Sequence, residues 1–351
     1  MPALAHPSLR SVDKFSTTRD NLRKSLLSWY DEAGRDLPWR VRAGRADPYR
    51  VWLSEIMLQQ TTVAAAAPYF ARFLEQWPTA VALADAPREA VLGAWAGLGY
   101  YTRARNLHAA AQRLAGEGFP ETEQGWRELP GVGAYTAAAI AAIAHGQATN
   151  VVDGNVERVI ARLRGVETPL PAAKPELRAL AGELVTSERP GDWAQALMDL
   201  GATVCTPRAP KCDACPWADA CAALAAGAPE AYPRRAAKAE RPQRRGAAFR
   251  IEREGSIWLV RRPEKGLLGG MAALPTTEWR VKRWTRAEAL RHAPVAADWT
   301  KAGQVRHVFT HFALTLDVYV ADAAPEGEGW WGDASALPIV FKKAAQAGRT
   351  P

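Results

Sequence analysis

All four cysteines of the chain lie within 17 residues, as Cys205, Cys212, Cys215 and Cys221 in the spacing C-x6-C-x2-C-x5-C. Four thiolates in one short loop can enclose a single metal centre, either tetrahedral zinc or a cubic [4Fe–4S] cluster. Structural zinc commonly uses two C-x-x-C pairs, and only one such pair is present. The spacing leaves both metals open. Two carboxylates stand out elsewhere. Glu55 sits among Trp52, Leu53, Ile56 and Met57 in ADPYRVWLSEIMLQQTT, which reads as a helix capped by Asp47 with Pro48 in its first turn. Periodicity leaves open whether Glu55 faces water or is desolvated, and desolvation would raise its pKa. Asp153, in VVDGNVERVIARL, has the position of an ordinary aspartate N-cap. One protonated and one charged carboxylate suit the cleavage of a glycosidic bond. The first protonates the leaving group, and the second stabilises the oxocarbenium-like sugar.

These side chains need elements to hold them. Residues 20–225 read as helical, with apolar residues recurring at spacings of three and four, as in Val91, Leu92 and Trp95. Within this region LPGVGAYTA (129–137) joins two helix-like stretches, ETEQGWREL and AYTAAAIAAIAH, the second ending at Gly146. Pro130, Gly131 and Gly133 make a tight turn whose backbone N–H groups can approach a phosphate at a helix N-terminus. A plain αα-turn has the same composition. Residues 232–245, YPRRAAKAERPQRR, contain six arginines or lysines, one acid and two prolines, and read as a basic, semi-extended linker. Beyond Phe249 the pattern becomes strand-like, with two short strands about a Glu-Gly turn and alternation over Phe312, Leu314, Leu316, Val318 and Val320. A smaller α+β domain thus follows an all-α one. Residues 1–20 read as a loose tail with no apolar core of a secretory signal, and no apolar run approaches the roughly 20 residues that span a bilayer. A cytoplasmic protein is expected. Its net charge of +8 favours a polyanionic partner.

The cysteine spacing, the LPGVG-x-x-TA string, WLSEIMLQQT and GLGYY together resemble the adenine DNA glycosylases of the MutY type, within the endonuclease III superfamily. The resemblance covers about residues 22–345. It implies a helical glycosylase region over 21–225, in which a six-helix module (about 46–145) contains a helix–hairpin–helix at 121–145. An iron–sulfur module is formed from 21–45 and 146–225. A basic linker over 226–247 and a Nudix-like domain over 248–351 follow. It further implies a [4Fe–4S] cluster on the four cysteines, with Arg208 and Lys211 near the DNA backbone. Glu55 would be the acid that protonates adenine at N7 and later the base. Asp153 would be its electrostatic partner, with Tyr135 and Asn155 as hydrogen-bonding neighbours. Leu58, Gln59, Gln60 and Tyr100 would contact or wedge into the duplex, and Gly131, Val132 and Gly133 would grip a strand. Arg35, Trp39, Arg40 and Gln195 would lie near the adenine pocket. In the second domain Phe309, Thr310 and His311 would read 8-oxoguanine; family members typically have serine at the middle position. The implied partner is double-stranded DNA with A:8-oxoguanine or A:G mispairs, met by a monomer, with no membrane.

Three other readings compete. A thymine–guanine mismatch glycosylase shares the hairpin and cluster but does not need the C-terminal domain. A lyase of the endonuclease III type carries a lysine where this chain has Tyr135, so no amine is present there to form a Schiff base. A zinc-stabilised, non-catalytic DNA-binding module would leave Glu55 and Asp153 idle.

Overall fold

The computed structural model describes the chain except residues 1–8, 42–45, 237–240, 264–265, 310, 326 and 350–351. Side chains of 9–17 and 336 are also outside the description. Two compact units divide it, Met1–Ala236 and Ala237–Pro351.

The first unit is helical. Its elements are α1 (Leu9–Ala33), α2 (Pro48–Leu58), α3 (Val63–Gln76), α4 (Ala80–Asp85), α5 (Arg88–Ala94), α6 (Thr102–Glu117), α7 (Glu123–Arg127), α8 (Ala134–His145), α9 (Gly154–Arg164), α10 (Lys174–Gly182), α11 (Pro190–Asp199) and α12 (Ala222–Ala225). Two large cores and a small alanine-rich cluster on α8 hold them. One core gathers Trp52, Phe70, Phe73, Trp95 and Trp126, and the other gathers Leu26, Val156, Ile160, Trp193 and Leu200. The helix α1 takes in residues 9–20 of the stretch expected as a loose tail, because no glycine or proline interrupts the sequence from Leu9 to Ala33.

Between the cores lies α8, which is nearly all alanine on its buried faces. Small side chains let neighbours come close, and α8 packs on α2, α7 and α11. At Gly191, on α11, an added Cβ would stand 3.0 Å from the Ala142 carbonyl oxygen, so any other residue there would need the α8 backbone to give by a few tenths of an ångström. The helix α2 starts on its Asp47 cap, which accepts from the Tyr49 N–H at 2.8 Å. It then buries residues on every side, Glu55 included.

The expected linker is largely ordered. Tyr232 is buried in the second core, Arg234 pairs with Glu167, and Leu170 N–H donates to the Arg234 carbonyl at 2.8 Å. Residues 226–236 therefore belong to the helical unit, and the basic run from Gln243 is already strand. Tyr232 supplies the apolar anchor that the charge pattern hides.

The second unit is a mixed sheet of β1 (Gln243–Arg253), β2 (Ser256–Arg261), β3 (Ala272–Ala273), β4 (Thr300–Val308), β5 (Ala313–Ala321) and β6 (Trp330–Gly332), with α13 (Arg286–Leu290) and α14 (Ile339–Gln346). The order is β3-β2-β1-β5-β4, with β6 on β2. β1 and β5 are parallel and the other pairs antiparallel. The turn between β1 and β2 places Glu254 and Gly255 at φ of 50° and 81°. One face packs Leu314, Leu316 and Val318 against Phe341 of α14, and the other packs Phe249 and Tyr319 against Trp284 and Trp299. With both faces covered, β5 is more buried than its alternation suggests.

Candidate active site

A pocket in the helical unit is lined by Glu55 from α2, Tyr135 from α8, Gln195 and Met198 from α11, and Arg35, Trp39 and Arg40 from the segment after α1. Leu58 also lines it. Glu55 is only 5% exposed. Burial, reinforced by the negative charge of Asp153, pushes its carboxyl up to about 7, against opposing effects from the Tyr135 hydroxyl and Arg40. Glu55 is thus an acid that holds its proton near neutral pH. The Tyr135 hydroxyl also reaches Met198 Sδ at 3.1 Å. A thioether is a weak acceptor, so the stronger partner of that hydroxyl is the Glu55 carboxyl.

Asp153 caps α9. Its Oδ1 accepts from Val156 N–H at 2.7 Å, and its Oδ2 accepts from Asn155 Nδ2 at 2.9 Å. A helix N-terminus complements its negative charge. It is not among the residues lining the pocket, but its charge acts on both Glu55 and Tyr135. A polar chain runs onward from it. Arg158 donates to Asn155 Oδ1 at 2.9 Å, to the Gly201 carbonyl at 2.7 Å and to the Cys205 carbonyl at 2.8 Å.

Cys205, Cys212, Cys215 and Cys221 line a single cavity together with Arg162. None is in a disulfide. Among the described residues no three His, Cys, Asp or Glu side chains group closely enough to hold one metal ion. Four thiols around one cavity fit the donor set of an iron–sulfur cluster. Burial and the neighbouring thiols push Cys215 up to about 11, so a bound cation would be what stabilises its thiolate. Arg162, 2% exposed, donates to Cys205 Sγ at 3.3 Å and to the Thr206 carbonyl at 2.7 Å. A π-helical turn, Leu200–Val204, delivers the chain from α11 into Cys205. Arg208 and Lys211 are exposed on this loop.

The HhH-GPD superfamily of base excision DNA repair proteins matches residues 53–185, and the iron–sulfur binding domain of endonuclease III matches 205–221. A NUDIX domain matches 246–346. The adenine DNA glycosylase of Homo sapiens is 39% identical over 88% of this chain and 69% of its own length. That of Mus musculus is 37% identical over 93% and 77%. The chain belongs to the adenine DNA glycosylase family. Among solved structures, a thermostable thymine-DNA glycosylase is 29% identical with a TM-score of 0.54, covering 59% of this chain and 97% of that one. The match to the endonuclease III loop makes the four cysteines of this family member an iron–sulfur site.

Other residues implied for an adenine DNA glycosylase fall into three places. Gln59, Gln60, Tyr100 and Gly131 line a second depression on the helical unit. Gln59 Nε2 donates to the Gly131 carbonyl at 3.2 Å, tying the end of α2 to the hairpin. Gly131 has φ of 79°, Val132 is buried, and Gly133 is the N-cap of α8. In the second unit Phe309 N–H donates to the Phe312 carbonyl at 2.9 Å, closing the turn expected to read the lesion. Phe309 stacks on Trp279 at 5.8 Å, and His311 is exposed. Thr310 lies outside the described residues.

Arg35 and Arg40 line the pocket but are committed to an acid that sequence reasoning missed. Asp199, fully buried, accepts from Arg35 Nε at 2.7 Å and from Arg40 Nη1 and Nη2 at 2.5 and 2.7 Å. Burial alone would raise the Asp199 carboxyl, but the hydrogen bonds and charge of Arg40 and Arg35 hold it below the usual range. The two cations of the pocket wall are therefore fixed in place. The only trace in the sequence is an acid embedded in ALMDLGA. Arg158 and Arg162 were also missed, since one helical turn apart on α9 they resemble surface charges.

Proposed function

We propose that the chain is a monofunctional DNA N-glycosylase that hydrolyses the glycosidic bond of adenine opposite 8-oxoguanine or guanine. The observation that carries this reading is the buried Glu55, with a pKa of about 7, in a pocket shared with Tyr135, Arg40 and Gln195. Adenine leaves poorly as an anion and readily once protonated. Glu55 supplies that proton at N7, and its carboxylate then takes a proton from the attacking water. Asp153 stabilises the positive charge that grows on the sugar. Tyr135 orients Glu55 and, lacking an amine, forms no Schiff base with the opened sugar. Cys205, Cys212, Cys215 and Cys221 would hold a [4Fe–4S] cluster, whose part is to fix the loop. The DNA partner fits the basic charge, the hairpin and the turns at Gln60 and Tyr100. In the second unit, the turn Phe309–His311 would recognise the oxidised base opposite.

A second reading, excision of thymine opposite guanine, is favoured by the likeness of the helical unit to a thymine-DNA glycosylase. One panel separates them: single-turnover cleavage of duplexes with A opposite 8-oxoguanine, A opposite G, and T opposite G. The proposed function requires fast excision from the first, slower excision from the second and none from the third. Excision of thymine with adenine left intact overturns it.

A further inference from the structure

One buried guanidinium outside the pocket is unused by this chemistry. Arg103 opens α6 and is 8% exposed. Its Nη1 donates to the Ile56 and Met57 carbonyls at 3.2 and 2.9 Å. These carbonyls lie in the last turn of α2, where helix carbonyls lack partners and cations are favoured. Its Nη2 donates to the Leu98 and Gly99 carbonyls at 2.9 and 3.3 Å and to Thr61 Oγ1 at 3.0 Å. One planar group thus joins two turns, the one after α2 and the one before α6. The guanidinium also lies over the rings of Trp95 and Tyr100, at 5.2 and 5.6 Å. Trp95 Nε1 in turn donates to the Gly99 carbonyl at 3.0 Å.

Each turn carries one residue in the left-handed region without being glycine: Gln60 at φ of 55° and Tyr100 at 51°. Such residues are strained and persist only where surroundings hold them. Tyr100 is also 63% exposed. An exposed aromatic on a strained turn, held from below by a buried cation, is shaped for a partner. Gln60, Tyr100 and Arg103 line one depression.

The geometry points to Arg103 as a positioning residue for the distortion of DNA: it sets the Gln60 and Tyr100 turns at one spacing so that both side chains enter the duplex together. It touches no reacting atom. The inference rests on the proposed glycosylase function, and in particular on Gln60 and Tyr100 meeting the duplex.

The test uses the full chain with Arg103→Met and Arg103→Lys, each checked for unchanged melting temperature and iron content. The first removes all donors, and the second leaves one compact cation that cannot span both turns. The readouts are the fluorescence of 2-aminopurine next to the target adenine, and excision from two substrates. One is a duplex with A opposite 8-oxoguanine. The other carries adenine opposite an abasic site, where little distortion is needed. Both variants should lose the fluorescence rise. They should lose about tenfold or more on the first substrate, the size of a lost charged hydrogen bond, and under about threefold on the second. Arg103→Met should add little to Tyr100→Ala, since both act on one step. An equal loss on both substrates with the fluorescence rise intact overturns the inference, as does wild-type behaviour in both variants. If Tyr100→Ala and Gln60→Ala excise normally, the placement of those residues against DNA has failed instead.

Discussion

Glu55 and Asp153 carry the same functional group in opposite settings. Glu55 is in mid-helix, where no backbone N–H is free to meet it, and it is walled by apolar side chains from α2. The Tyr135 hydroxyl hydrogen-bonds to it. Asp153 stands at a helix N-terminus, with both oxygens accepting hydrogen bonds from Val156 and Asn155. The first setting penalises a bare carboxylate and pushes the pKa up, while the second supplies a carboxylate with hydrogen-bond donors. On the proposed function, an acid and an electrostatic stabiliser would be made from position in secondary structure, not from residue type.

The largest effects should come from erasing one side of this contrast. Asp153→Asn keeps the shape and removes the charge, and Glu55→Gln removes the acidic proton. Each should lower single-turnover excision by about 10²–10³-fold or more while binding of the mispaired duplex survives. Near-normal excision in Asp153→Asn would reduce Asp153 to a helix cap. Tyr135→Lys should add strand nicking and a borohydride-trappable adduct, because an amine would then stand beside the sugar. A variant that excises adenine but never traps DNA would count against that placement.

The contrast was only partly legible in the sequence. The cysteine quartet and the hairpin could be read because their geometry is local, set by spacing and by glycines at 131 and 133. The burial of Glu55 could not, since it depends on α8 and α11 arriving from far along the chain. Asp199 escaped notice for the same reason: its partners Arg35 and Arg40 are 164 and 159 residues away. Arg103, Arg158 and Arg162 were hidden among 45 lysines and arginines. The carbonyls brought to them by other segments of the chain distinguish them from surface charge. Tyr232 likewise turned an expected linker into part of the helical unit.

Stability sharpens the comparison further. The pKa of Glu55 is raised in the fold from 4.5 to about 7, so the folded state holds a proton that the unfolded state releases. Below pH 4.5 this group costs nothing. As pH rises toward 7 its relative contribution is lost, and above 7 the cost is constant. Glu55→Gln should therefore raise stability on the order of 1–3 kcal/mol at pH 8 and little at pH 5. Thermal melts at both pH values check this, and an equal shift at both would show that Glu55 is not desolvated.

Changes in the second unit should leave the chemistry alone. A chain ending at Ala236 should still excise adenine opposite guanine but lose most preference for 8-oxoguanine. Retained discrimination would place lesion reading in the helical unit. Thr310→Ala should cost only a few-fold to about tenfold in that preference, the worth of one neutral hydrogen bond.

The most direct test of the divided carboxylates is the pH dependence of kcat/KM on duplexes with A opposite 8-oxoguanine, which reports ionisations of the free enzyme. With duplex affinity measured in parallel on Glu55→Gln to remove pH effects on binding, kcat/KM should fall about tenfold per pH unit above a pKa near 7. A profile that stays flat or rises between pH 6 and 8 would mean that Glu55 is not the acid.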